Sequence, residues 1–169
     1  MTTSKKIGIS WTNSSSANKT VYLLSSGLGI GYMPVVPATF GSLWGLLAFY
    51  LTSEFSWYIQ ILLFSITTII SIALAERAQQ ISRIEDPSFV IVDEIVGMWA
   101  TLLFIWKVNF AVYLAAFILF RIFDILKFFP INLFESYEGG TGIVMDDLVA
   151  GMLANIALRT IILIFPAFF

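Results

Sequence analysis

Three short stretches hold the residues able to do chemistry: DPSFVIVDEIVGMW with Asp93 and Glu94, FRIFDILKFFPI with Arg121, Asp124 and Lys127, and GGTGIVMDDLVAG with Asp146 and Asp147. Adjacent carboxylates in such apolar surroundings cost roughly 2.5–3.5 kcal/mol each near a bilayer centre, and less at its interface. Each group also has an ordinary explanation. Asp93 and Glu94 suit the positive end of a helix dipole. The glycines of GGTG read as a flexible, close-approach loop, and one of Asp146 and Asp147 suits an N-cap of the helix behind it, although capping does not require the second. Arg121, Asp124 and Lys127, spaced three apart, can form an ion-pair ladder along one helix. The functional reading has Arg121 and Lys127 holding a phosphate.

The chain contains no histidine and no cysteine. That excludes zinc sites built from those ligands, disulfides, cysteine nucleophiles and histidine general bases. If Asp86, Asp93, Glu94, Asp124, Glu135, Asp146 and Asp147 share one face with Arg121 and Lys127, the site repels an anion unless a metal intervenes. Donors that are all oxygen suit Mg²⁺, which binds through carboxylates together with substrate phosphate oxygens. Asp93, Glu94, Asp146 and Asp147 are the main ligand candidates, with Asp124 a further one. Metal-assisted phosphoryl transfer follows, with water activated by the ion as the favoured nucleophile. Transport of a divalent cation is the competing reading.

Positioning these residues is a task for membrane helices. Of the 169 residues 59% are hydrophobic and only 12% charged, and the mean hydropathy is +0.90. Soluble domains are nearer one-quarter charged, so an all-α integral membrane protein is expected. The net charge of -2 argues against a nucleic-acid partner. A hydrocarbon core of roughly 30 Å calls for about 20 apolar residues per helix. Segments 57–75, 88–106, 109–126 and 147–168 meet that, and 38–53 is a shorter fifth. Residues 20–37, interrupted by Gly27, Gly29, Gly31, Pro34 and Pro37, read as a short helix and a Gly/Pro-rich loop packed against the bundle.

Residues 1–19 are expected to form a polar, basic cytoplasmic tail, and 20–169 a single membrane-embedded domain. No apolar core with a small-residue cleavage site precedes the first span, so no removed signal peptide is expected. With the tail inside, Lys5, Lys6, Lys19, Arg77, Arg83, Arg121 and Lys127 fall inside and Lys107 outside, as the positive-inside rule favours. Arg159 falls within the last span and fits neither side. The carboxylates then gather on the cytoplasmic face, far from the outer ends that a transport path would need.

The blocks GIGYMPVVPATFGSL, DPSFVIVDEIVGMW, FRIFDILKFFPI and GGTGIVMDDLVAG, in that order, resemble the phosphatidylglycerophosphatase A family of bacterial membrane phosphatases. The resemblance covers about Gly27 to Gly151. It implies Mg²⁺-dependent removal of the terminal phosphate of phosphatidylglycerophosphate, a phospholipid, at the cytoplasmic face of the inner membrane. It also implies the polar set Asp93, Glu94, Arg121, Asp124, Lys127, Asp146 and Asp147, with an acidic residue near Glu135. The chain departs from the family pattern at Pro37-Ala38-Thr39, where Pro-Gly-Thr is usual, and at Lys127-Phe128-Phe129-Pro130, where Lys-Pro-x-Pro is usual. The first departure is expected to stiffen a loop, the second to move a helix end.

Overall fold

A computed structural model describes residues 15–106, 108–134 and 137–166. It is all-helical, with no strand among the described residues. The order is α1 (Ser16–Ser25), a 3₁₀ turn (Ile30–Tyr32), α2 (Pro37–Thr52), α3 (Trp57–Ser82), α4 (Val92–Leu102), α5 (Phe110–Leu126), the single turn α6 (Ile131–Phe134) and α7 (Gly139–Ile164). Local signals account for several boundaries. Ser15 caps α1 by accepting from the Asn18 N–H, and Asn109 caps α5 by accepting from Val112. Pro37 occupies the first turn of α2, where its missing N–H costs nothing.

Two helices, α3 and α7 with 26 residues each, are long and apolar enough to cross a membrane, which points to a membrane protein. The expectation of about five transmembrane helices, the one at 38–53 shorter, is corrected in number. Helix α2 has 16 residues and α5 has 17, a little short of the usual span. The stretch 88–106 yields only the 11 residues of α4, about 16 Å at 1.5 Å per residue. Every residue from Val96 to Leu102 is buried, because α2, α3, α5 and α7 surround this helix. Hydropathy registers an apolar surface, and it reads the same whether protein or lipid covers it.

A short central helix has C-terminal carbonyls with no intrahelical donors. Here α7 supplies them. Asn155 Nδ2 donates to the carbonyls of Thr101 at 2.8 Å and Leu103 at 3.0 Å, and Arg159 Nη2 donates to those of Leu103 and Phe104 at 3.0 Å each. Arg159 Nε also donates to Asn155 Oδ1 at 2.8 Å, which locks the pair. The arginine that fitted neither side of a membrane thus caps the buried helix. Asn155→Leu is expected to destabilise the protein by about 1–3 kcal/mol, the cost of stranding buried carbonyls. Thermal melting in detergent should show this drop, while Met152→Leu, on the exposed face of α7, leaves the melting temperature unchanged.

The glycine-rich 26–36 segment fastens the approach to α4. The Ile91 N–H donates to the Ser25 carbonyl at 2.9 Å. The Phe89 ring stacks on Tyr32 at 5.3 Å and meets Tyr22 edge-on at 5.4 Å. Gly31 touches the Phe89 carbonyl so closely that a Cβ would overlap it. Its role is close backbone approach, and the segment delivers Asp93 and Glu94 to the start of α4.

Candidate active site

Helices α4 and α7 run parallel and nearly touch. A Cβ on Gly97 would lie 2.6 Å from the Asp147 carbonyl, and one on Gly151 would overlap the Gly97 carbonyl. Asp93 and Asp147 stand one turn before these two glycines, so the crossing that brings the backbones together also brings the carboxylates together. Helix α2 lies parallel on the other side of α4, with Gly41 against Ile91 and Glu94. Helices α3 and α5 run antiparallel to these. The starts of α2, α4 and α7 therefore meet the ends of α3 and α5 at one end of the bundle.

At that end, ligand oxygens of Asp93, Glu94 and Asp147 lie within 4.8 Å of one another. Asp93 Oδ1 and Glu94 Oε2 are buried and have no hydrogen-bond partner among the described residues. Asp147 is only 5% exposed and Asp146 only 8%. Lys127 Nζ donates to Asp146 Oδ2 at 2.8 Å, and Arg121 Nη1 forms an ion pair with Asp124 Oδ2 at 2.6 Å. Lys127 closes α5 in a left-handed conformation (φ 42°, ψ 48°), which costs a non-glycine residue about 1–2 kcal/mol. Buried carboxylates this close repel one another strongly in a medium of low dielectric. Unpartnered oxygens that converge in this way fit a hard divalent cation.

The carboxylates face a cavity of about 250 Å³ whose walls include Asp86, Asp93, Glu94, Asp124, Lys127, Asp146 and Asp147. Tertiary structure thus gathers the acidic residues singled out in sequence, apart from Glu135, which lies outside the described residues. Arg121 stands behind Asp124 and is not part of that wall. Pro37 and Ala38 are part of it. Ala38 sits in the first turn of a regular helix, so the departure from glycine there does not stiffen a loop.

One local reading is corrected. The run GGTG opens α7 and is no loop, and Asp146 and Asp147 lie two turns inside the helix, where neither can cap it. The cap comes from α3: Glu76 Oε2 accepts from the Gly140 N–H at 2.6 Å. Glu76 is itself held by Gln80, whose Nε2 donates to Oε1 at 2.7 Å. A carboxylate there also complements the dipole of a long helix. No sequence signal links positions 76 and 140, because the pairing crosses between helices.

A helical bundle with a cluster of carboxylates and two cations at one end defines the class: a helical protein with a polar site set among apolar helices. The chain belongs to the phosphatidylglycerophosphatase A family, whose model matches residues 23–162, and so to a family of phosphatases. It is 34% identical to phosphatidylglycerophosphatase A of Escherichia coli K12, over 79% of this chain and 78% of that one. It is 35% identical to the protein of that name from Haemophilus influenzae, over 83% and 88%. A Bacteroides thetaiotaomicron protein provisionally named a phosphatidylinositol-3-phosphatase is 37% identical, over 77% and 86%. No solved structure is significantly similar to the chain.

Proposed function

We propose that this chain is a Mg²⁺-dependent phosphatase that removes the terminal phosphate of phosphatidylglycerophosphate, giving phosphatidylglycerol at the cytoplasmic face of the bacterial inner membrane. The observation that carries this reading is the convergence of Asp93, Glu94 and Asp147, with buried unpartnered oxygens, beside Lys127. The names of the Escherichia coli and Haemophilus influenzae relatives support the substrate. The multi-pass orientation rests on the positive-inside distribution of Lys and Arg, with α2 and α5 completing the bundle around α3 and α7.

Asp93, Glu94 and Asp147 would hold the ion, with Asp146 and Asp124 at its border. When bound, it would supply Lewis-acid polarisation and screen the phosphate charge. The chain does the rest. Lys127, kept at the cavity wall by Asp146, binds a phosphate oxygen and sets the direction of attack. Arg121, behind Asp124, orients that carboxylate through its ion pair. Water attacks phosphorus, the phosphorus–oxygen bond to the alcohol breaks, and the alcohol oxygen leaves with the electron pair and takes up a proton. A carboxylate of the cluster accepts the proton that the water loses.

Phosphate release from phosphatidylglycerophosphate in detergent micelles tests this. Purified protein should release phosphate with Mg²⁺, stop on chelation with EDTA and recover when Mg²⁺ returns. Absence of Mg²⁺-dependent release would sink the assignment. Lys127→Ala should lower kcat/KM by about 10- to 100-fold, the worth of one charge-assisted hydrogen bond. The transporter reading gains no support from the relatives, and the carboxylates of the site gather at one end of the bundle.

A further inference from the structure

The helices around α4 do not close evenly. Helices α3 and α5 both pack on α7. Between α3 and α2 the space is taken by α1, which packs on α3, and by the 3₁₀ turn, which packs on α2. Phe89 joins these two through Tyr22 and Tyr32. Helices α2 and α5, by contrast, scarcely touch. Phe49 meets Tyr113 edge-on at 6.4 Å, close to the end of α2 and the start of α5, which is the end away from the site. At the site end, Pro37 and Ala38 form one wall of the 250 Å³ cavity, and Asp124 and Lys127 form another. The two helices thus bound a crevice that widens toward the carboxylates, with α4 as its floor.

The margins of that cavity differ in chemistry. Just before Pro37 and just after Lys127 the chain exposes Val35, Val36, Phe128 and Phe129, each more than half accessible. Apolar side chains gathered on exposed connecting segments mark a surface that meets a membrane or a partner. The margin toward α3 and α7 instead exposes Glu85, Asp86 and Glu138, which wall an adjoining cavity of about 520 Å³. Charged groups are costly in hydrocarbon, so this second margin faces water.

We propose that the crevice between α2 and α5 is the lateral entrance by which the lipid substrate passes from the bilayer to the site, its acyl chains lying between Val35–Val36 and Phe128–Phe129 while its phosphate reaches Lys127. The inference rests on the phosphatase reading and adds to it the surface that receives the acyl chains. Continuity decides the occupant. Lys127 belongs to the cavity wall and directly precedes Phe128, so a phosphate held there leaves its lipid tails beside the apolar margin. The water-facing margin offers those tails nothing to cover them.

The test uses the full chain in phospholipid vesicles with Mg²⁺. The native chain has no cysteine, so single cysteines can carry nitroxide labels without interference. Labels on Val35→Cys and Phe129→Cys should respond to dissolved oxygen and be shielded from a soluble nickel chelate, and labels on Glu85→Cys and Glu138→Cys should do the reverse. A non-hydrolysable phosphonate analogue of phosphatidylglycerophosphate with a diazirine in one acyl chain should label α2 and α5 on photolysis. Excess phosphatidylglycerophosphate should abolish that labelling, whereas a diazirine phosphatidylcholine should label every lipid-facing helix and resist displacement. Ala38→Phe, which narrows the crevice, should lower kcat/KM by about 10- to 100-fold, the cost of holding a reacting group about 1 Å out of place, and keep the rise in melting temperature that Mg²⁺ gives. Nickel access at 35 and 129 overturns the proposal. So does displaceable labelling on α3 or α7 in place of α2 and α5, or wild-type kcat/KM in Ala38→Phe. Displaceable labelling of α2 and α5 without phosphate release from the hydrolysable lipid refutes the phosphatase reading and upholds the entrance.

Discussion

Replacing Asp147 by Asn is expected to lower Mg²⁺-dependent phosphate release by more than about 100-fold while leaving the fold intact. Loss of a partner one shell further from a metal typically costs about 10- to 100-fold, and Asp147 is placed as a direct ligand. Its carboxylate is one of three whose oxygens lie within 4.8 Å of one another. The substitution preserves shape, and it thins a crowd of carboxylates, since Asp93 and Glu94 share the cluster with Asp147. Without metal, the variant should therefore melt no lower than the wild type, and relief of repulsion favours a rise. The rise in melting temperature that Mg²⁺ gives the wild type, through binding to the folded state, should shrink or vanish. Wild-type activity in Asp147→Asn would mean that the cluster is structural. A large drop in melting temperature without metal would mean that the carboxylate holds the helices together.

The second large effect lies at the helix crossing. Gly151→Val should destabilise the protein by about 1–3 kcal/mol or more, the usual range for overpacking. It should also reduce activity about 100-fold, since a displacement of about 1 Å at a site can cost that much. The first atom of the new side chain would overlap the Gly97 carbonyl, which is backbone and cannot move aside. The parallel α4 and α7 would separate, taking Asp93 from Asp147. Gly97→Ala tests the facing residue, where the added carbon would lie 2.6 Å from both the Asp147 carbonyl and the Phe120 ring. Activity and melting temperature should fall together in both variants. Full activity in Gly151→Val would show that the crossing does not set the site.

Much of the chemistry was legible in the chain itself. With no histidine or cysteine, only oxygen and nitrogen side chains remain for a site. Carboxylates are costly in apolar stretches, so Asp93, Glu94, Asp146 and Asp147 stood out by position alone. The apolar runs also revealed a helical bundle, because helix periodicity and hydrophobicity are local properties. The alternation of helix direction was legible too, and it brings the starts of α4 and α7 to the same end as the close of α5.

Non-local packing decided the rest. Whether a greasy helix meets lipid or protein is not written in its composition, and so 88–106 looked like a span when it yields the buried α4. The glycines of GGTGIVMDDLVAG suggested a loop because glycine is a weak helix former, but tertiary contact outweighs that preference: Gly140 packs against Ile72 and Glu76, and Glu76 caps the helix. The partners of Arg159 and the pairing of Lys127 with Asp146 join residues distant in sequence. Sequence by itself determined which groups could do the chemistry and which end of the bundle they share. The tertiary structure decided how close they come, because the glycine contact between α4 and α7 sets that distance.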